Sequence, residues 1–380
     1  MNWKLLGKTK SAKIYQLTGT NEEKGYLLET DAFKLFRSET YNYNFSKITG
    51  FFQRWGATKE DNPTFSPFGP EIIDIEVSTI CHGINKEDLI SSTSTTKVGP
   101  CNFCYKTNNS NGLNMSLTTF KKLSSKFSPF VNQIAFGIGS IDANKALFDI
   151  MRHTRSLGII PNITINGSRM TDSLFEQLAM VCGACAISNY DKELCYSTVD
   201  RLNQEKKKPG TTLQSVNIHQ LLSEETYNTC LEVMQDYLVD PRLSELGAIV
   251  LLSLKPKGNR NTLHQLESSK KYQALIDFAI SNNVPLGFDS CGCHRFLSAV
   301  KDSEQYQEVA EPCESTCFSF YVNAECQSVP CSFCEGEADI KPINLLETSM
   351  EDAWNSEQVI QFRKKLLKNN RNCPVFDLKT

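Results

Sequence analysis

No apolar run in this sequence approaches the ~20 residues that a membrane-spanning helix needs, so a spanning helix is excluded. The start, MNWKLLGKTK, lacks the apolar core of a secretory signal, and the chain is expected in the cytoplasm, with no membrane partner. Neither charge is in excess: 40 basic residues stand against 43 acidic ones, a formal net charge of −3. That argues against a protein that coats nucleic acid through bulk electrostatics. There is no internal repeat, and no cysteine precedes Cys81. What is present is a chain of 380 residues, 40% hydrophobic and 22% charged, with the composition of a globular protein. Its length suits one large domain, or a core domain with an appendage. Against that ordinary background stand 15 cysteines. In a reducing compartment they do not read as a disulfide framework, so metal binding comes to the front.

Apolar or β-branched runs occur at 72–80, 133–138, 159–165, 184–188, 213–222, 248–254 and 284–288. Between them lie segments with helical spacing, such as Leu147, Ile150, Met151, Thr154 and Leu157, or Tyr272, Leu275, Ile276, Ala279 and Ile280. Strand–helix alternation repeated about six times implies parallel strands joined by crossover helices. A partly open α/β barrel or a doubly wound sheet satisfies it, and in both the function gathers at the carboxyl ends of the strands. Residues 1–70 carry aromatics (Tyr26, Phe33, Phe36, Tyr41, Tyr43, Phe51, Phe52, Trp55) without visible alternation, and are expected to be a cap or a substrate-facing extension. Residues 71–288 would be the α/β body. Residues 289–340 read as a small cysteine-rich domain, hard to stabilise without metal. Residues 341–380 hold a final amphipathic helix, roughly 349–368, and a tail. The Ser/Thr run at 91–96 reads as a polar loop.

Cys81 follows directly on the first strand run, and Cys101-Asn102-Phe103-Cys104 comes after residues 82–100. A Cys-x-x-Cys pair on a loop lets two thiolates face one point. Three thiolates at a strand end leave a 4Fe–4S cluster with one iron free of protein. The alternatives are a structural zinc site or buried thiols. The stretch IDIEVSTIC…CNFCY resembles the first strand and cluster loop of the radical S-adenosylmethionine (SAM) superfamily, whose pattern is Cys-x3-Cys-x-aromatic-Cys. Phe103 fits the aromatic position. The first gap departs from the pattern, with 19 residues (82–100) in place of three, although loop closure entropy grows only slowly with length.

The resemblance implies a partial (β/α)6 TIM-like barrel. Gly137-Ile138-Gly139-Ser140 stands where the family's glycine-rich turn meets the methionine amino group, without the usual acidic third member. Asn166, and then Ser188 and Asn189, stand at the strand ends that flank SAM, and each also suits a plain strand-end cap. Asn217 and His219 alternate with Val216 and Ile218, so both are expected to point into the barrel. Lys255 could meet a substrate or SAM carboxylate, with a solvated loop lysine as the default. Cys182, Cys185, Cys195 and Cys230 read as core residues.

The second cysteine group begins at Cys291-Gly292-Cys293 and continues through Cys313, Cys317, Cys326, Cys331 and Cys334. Phe318, Phe320 and Val322 alternate with Ser319 and Tyr321 before the turn Asn323-Ala324-Glu325, a hairpin pattern flanked by thiols. This resembles the auxiliary-cluster extensions of the same superfamily, the SPASM and shorter twitch domains. Cys291, Cys313, Cys331 and Cys334 are the preferred ligands of one auxiliary 4Fe–4S cluster. Cys293, Cys317 and Cys326 are alternates, and Cys373 is isolated. A zinc knuckle would use the same thiolates.

The resemblance implies an enzyme that cleaves SAM reductively and abstracts hydrogen from a substrate. A peptide or protein is the first expectation, with flavodoxin or ferredoxin as electron donor. A small metabolite or nucleotide is the alternative substrate, and a non-catalytic zinc-binding interaction protein is the rival class.

Overall fold

The computed structural model describes residues 3–89, 96–308 and 310–378; residues 91–95 of the Ser/Thr run lie outside them. Six antiparallel strands come first: β1 (Trp3–Lys8), β2 (Ala12–Thr18), β3 (Lys24–Thr30), β4 (Phe33–Arg37), β5 (Asn42–Ser46) and β6 (Phe52–Trp55). Each pairs with the next to make a meander. The sequence shows no alternation here because the usual rule is inverted at key positions. Glu29 and Lys34 point into the buried face while Tyr26 and Phe33 point out. Lys34 is tolerated inside because its ammonium donates to the carbonyls of Pro129 (2.9 Å) and Val131 (2.5 Å).

Six strand–helix units follow. They run β7 (Ile72–Ser78), α1 (Leu117–Ser124), β8 (Gln133–Ile138), α2 (Leu147–Ser156), β9 (Ile160–Ile165) and α3 (Asp172–Val181). They continue through β10 (Ala184–Ser188), α4 (Lys192–Lys206), β11 (Ser215–Leu222), α5 (Tyr227–Tyr237), β12 (Ile249–Ser253) and α6 (Ser269–Ser281), and close with β13 (Leu286–Phe288). Each of the seven apolar runs becomes a strand. Neighbours are parallel and in chain order. Side-chain oxygens of Ser116, Thr171, Asp191 and Ser268 cap the first turns of α1, α3, α4 and α6. On β7, Ile73, Ile75 and Val77 enter the helix-covered core, which sends Asp74, Glu76 and Ser78 to the opposite, inner face. The same alternation on β11 buries Val216 and Ile218 in the core and turns Asn217 and His219 inward. β13 and β7 do not pair, so the (β/α)6 barrel is open.

The cysteine-rich segment holds α7 (Cys293–Ala299), α8 (Glu304–Glu308), β14 (Ser319–Val322), β15 (Gln327–Val329) and the short β16 (Ile343–Asn344). β14 pairs in parallel with β7, and the hairpin extends the barrel sheet to ten strands. The expected terminal helix is two, α9 (Met350–Trp354) and α10 (Glu357–Lys368), separated at Asn355-Ser356. Trp354, Val359 and Leu366 are buried against the body. No helix among the described residues is long and apolar enough to cross a membrane.

The meander seats Phe36, Tyr41 and Tyr43 against Phe68, Phe130 and Phe318, which precede β7, β8 and β14. It therefore covers the amino ends of the strands. This corrects the substrate-facing expectation: the buried aromatics pack at the floor, opposite the carboxyl ends. Arg54 fastens the contact, pairing with Glu71 (2.9 Å) and Glu311 (2.8 Å) and lying 3.4 Å from the centre of the Phe318 ring. Replacing it would leave Glu71 buried without its cation. Arg54→Met is expected to cost about 3–5 kcal/mol, read as a lower urea midpoint at unchanged slope.

Candidate active site

Cys81, Cys101 and Cys104 meet at the carboxyl end of β7. Burial first, then the neighbouring Cys81 and Cys104, push the Cys101 thiol up to about 12. Burial likewise raises Cys81, on which Cys104 also acts. The long gap between the first two cysteines is closed at its neck. Ile84 N–H donates to the Gly99 carbonyl (3.2 Å), and Gly99 N–H donates to the Ile84 carbonyl (2.8 Å). Gly83, at φ +69°, lies so close that a Cβ there would overlap the Gly99 carbonyl and the Pro100 nitrogen. Residues 84–99 are thus an excursion with a pinched base. Without them the chain reads Cys81-His82-Gly83-Pro100-Cys101-Asn102-Phe103-Cys104, with three residues between the first two cysteines and the aromatic before the third. The described ends of the excursion dock on neighbouring strand ends. Asn85 N–H donates to Ser168 Oγ (3.0 Å), Asp88 accepts from Arg169 N–H (2.8 Å), and Thr96 Oγ1 donates to Asp191 (2.8 Å).

The glycine turn after β8 packs directly on this loop. Ser140 Oγ accepts from His82 N–H (2.9 Å) and Ser140 N–H donates to the Ile80 carbonyl (3.0 Å). A Cβ on Gly139 would run into Ile80 and Cys81, whereas one on Gly137 would meet only ordinary contacts. Phe103 stands edge-on to Tyr190, ring centres 5.3 Å apart, and Tyr190 feels all three thiols. Asn166 accepts from Ser168 N–H (3.0 Å) as a turn cap. Ser188 is 9% exposed, and Asn189 Nδ2 donates to Gln220 (2.8 Å). Arg260, on the loop after β12, acts on Cys81 and Cys101, and its buried Nε has no protein partner. Tyr190 and Arg260 were not foreseen; one follows an ordinary strand end and the other sits in a polar loop, and neither carries a sequence signal.

The second set gathers Cys291, after β13, with Cys313 and Cys331, which flank β14 and β15, and with Cys334. Cys313 is raised by burial and then by Cys291, Cys331 and Cys373. Cys331 and Cys334 have their sulfurs 3.4 Å apart. Cys373, isolated in sequence, therefore joins the preferred four. The tail that carries it walls a cavity of about 350 Å³ with Cys291, His294, Cys313 and Arg371, and His294 Nε2 is buried there without a partner. Cys293, Cys317 and Cys326 are buried and lie near other groups: Glu311 and Arg371 for the first two, Lys126 for the third. Cys182, Cys185, Cys195 and Cys230 are core residues.

Among the described residues, no three His, Cys, Asp or Glu side chains sit close enough to hold a single metal ion. A tetrahedral zinc with Zn–S bonds of about 2.3 Å needs its sulfurs about 3.8 Å apart. A cubane cluster spreads its thiolates over separate irons, whereas Cys331 and Cys334, 3.4 Å apart, lie near the spacing of two sulfurs on one metal. The two loops also touch. The Tyr105 ring lies 4.1 Å from Phe333, its hydroxyl is 3.1 Å from Ser332 Oγ, and Lys106 bridges Glu76 (3.1 Å), Tyr321 (2.6 Å) and Glu335.

The pinched neck makes a direct prediction. A chain with Gly83 joined to Pro100, residues 84–99 removed, is expected to keep the parent's iron content after anaerobic reconstitution. Gly83→Val, which forces the neck apart, is expected to lose the iron of the first site.

No family model matches the chain, and no curated protein matches it in sequence. Solved structures do match it. SuiB of Streptococcus suis bound to S-adenosylmethionine superposes with a TM-score of 0.57 at 15% identity, over 78% of this chain and 68% of that one. SuiB bound to its precursor peptide SuiA gives 0.57 at 14% identity, over 77% and 66%. The structure of anSMEcpe with bound AdoMet and the Cp18Cys peptide gives 0.53 at 16% identity, over 80% and 86%. The chain shares its fold with these solved structures.

Proposed function

We propose that this chain is a radical SAM enzyme acting on a peptide. In this reading Cys81, Cys101 and Cys104 would hold a 4Fe–4S cluster and leave one iron open to SAM. When bound, the cluster supplies one electron, delivered by a flavodoxin- or ferredoxin-class donor, that splits the sulfonium into methionine and a 5′-deoxyadenosyl radical able to take hydrogen from substrate. The observation that carries the reading is the pinched neck. It gives three mutually acting thiols an x3 and x2 spacing at the carboxyl ends of a parallel barrel.

The other residues have roles that follow from their positions. Gly139 and Ser140 pack directly on Ile80, Cys81 and His82, and so hold the cluster loop in place beside the methionine end of SAM. Arg260 offers a cation to the carboxylate. Phe103 and Tyr190 wall the thiols from water, which a site that generates so reactive a radical requires. Asp74, Asn217 and His219 line the inner face. Burial lowers His219 to about 4, so it stays neutral at pH 7 and the site opposes its protonation.

Cys291, Cys313 and Cys331, with Cys334 or Cys373 as the fourth, hold the auxiliary cluster. Residues 71–288 are then the catalytic barrel and 289–340 the auxiliary extension. A peptide substrate is supported by SuiB and anSMEcpe, which share the fold and have been solved with peptides bound. Because the meander covers the floor, the peptide enters from the carboxyl ends of the strands.

The test is anaerobic reconstitution with dithionite and SAM. The parent is expected to bind about eight irons, enough for two cubanes, and to release 5′-deoxyadenosine and methionine. Cys101→Ala with Cys104→Ala is expected to abolish that release while about four irons stay bound. Cleavage that persists in this variant refutes the assignment.

A further inference from the structure

Lys255 follows β12 and reads in the sequence as a solvated loop lysine. The structure buries it, at 6% exposure. Its ammonium pairs with the Asp289 carboxylate, two residues before Cys291, and stands 4.8 Å from the ring centre of Phe333, between Cys331 and Cys334. Its charge acts on Cys291 and Cys331, and on Cys373. Burial works against that charge, but Asp289 and then Cys291 outweigh it, and Lys255 is held above the usual lysine range. Two other cations stand at the set, each paired with a carboxylate of its own. Lys257 donates to the carbonyls of Phe333 (2.8 Å) and Glu335 (2.7 Å) and pairs with Glu337 (2.6 Å). Arg371 pairs with Glu311 (2.5 Å) and donates to the carbonyls of Pro312 (2.7 Å) and Cys313 (2.9 Å).

We infer that Lys255 sets the reduction potential of the second cysteine site's cluster, raising it so that the cluster accepts an electron more readily. The inference rests on the reading of that site as an iron–sulfur centre. One-electron reduction adds a negative charge, and a fixed ammonium beside the ligating sulfurs stabilises the reduced form more than the oxidised one. Burial strengthens the effect, because little solvent screens the pair. Asp289 acts in the opposite sense and holds Lys255 in place. Lys255 is in this sense a positioning and tuning residue rather than a catalytic one.

The experiment is a redox titration, with dithionite as electron source, of the full chain carrying Cys101→Ala and Cys104→Ala, so that only the second cluster contributes to the electron paramagnetic resonance signal. Lys255→Met is expected to shift the midpoint downward, and Lys255→Arg to restore it to near the parent value. Asp289→Asn keeps an oxygen for the Gly292 N–H (3.1 Å) and is expected to shift the midpoint upward. Should Lys255→Met fail to load iron, the Asp289→Asn shift decides alone. A midpoint unmoved by Lys255→Met, or moved in the same direction by both changes, overturns the inference while leaving the cluster assignment standing. A parent background that binds no iron at all overturns both.

Discussion

The first cysteine site depends on a neck two residues wide. Lengthening the gap between Cys81 and Cys101 from three to 19 residues raises the entropic cost of bringing them together by only about 1.6 kcal/mol. The reciprocal Ile84–Gly99 bonds contribute about 1 kcal/mol each, which offsets that cost. The neck also settles direction. With Gly83 against Gly99 and Pro100, the chain leaves Cys81 and re-enters at Cys101 on the same side of the barrel mouth. Any residue with a Cβ at position 83 would push the two strands of the neck apart and separate the thiols.

Much of this architecture was legible. The seven apolar runs became the seven parallel strands because strands covered by helices must be apolar on the outer face wherever they lie. The hairpin around Asn323 was legible for the same reason, since Phe318, Phe320 and Val322 alternate cleanly. The meander was not, because Glu29 and Lys34 face inward and pair with groups that sequence cannot place, Lys47 and the carbonyls before β8. Within the site, the cysteines named from the sequence lie near one another in two sets. Cys373, Arg260 and Lys255 were not legible, because each reaches its set through a tertiary path. Lys255 looked solvated since its partner, Asp289, lies 34 residues on.

The two sets of thiols are not independent. Tyr105 follows Cys104 and Phe333 precedes Cys334, and their rings pack at a tilt of 32° while Lys106 ties Glu76 on β7 to Glu335 beyond Cys334. Burial raises the Tyr105 hydroxyl, and both Cys104 and Cys331 act on it. A shift in either loop is therefore transmitted by packed rings and paired charges rather than through solvent. Gly258 tightens the junction, since a Cβ there would strike the Cys104 carbonyl and Tyr105.

One topological fact has a mechanical consequence. The barrel has a slit, because β13 and β7 lack mutual hydrogen bonds. Cys291 hangs from the β13 lip of that slit, whereas Cys313 and Cys331 hang from the β14 hairpin laid along β7 on the other lip. A cluster held by all three would act as a clasp across the slit, doing with sulfur and iron what a closed barrel does with backbone amides. Stripped of its iron, the molecule would still be fastened there by Lys257, which reaches from the loop after β12 to the carbonyls of Phe333 and Glu335 and to Glu337, and by Lys255 over the Phe333 ring, so the slit would be held by side chains alone.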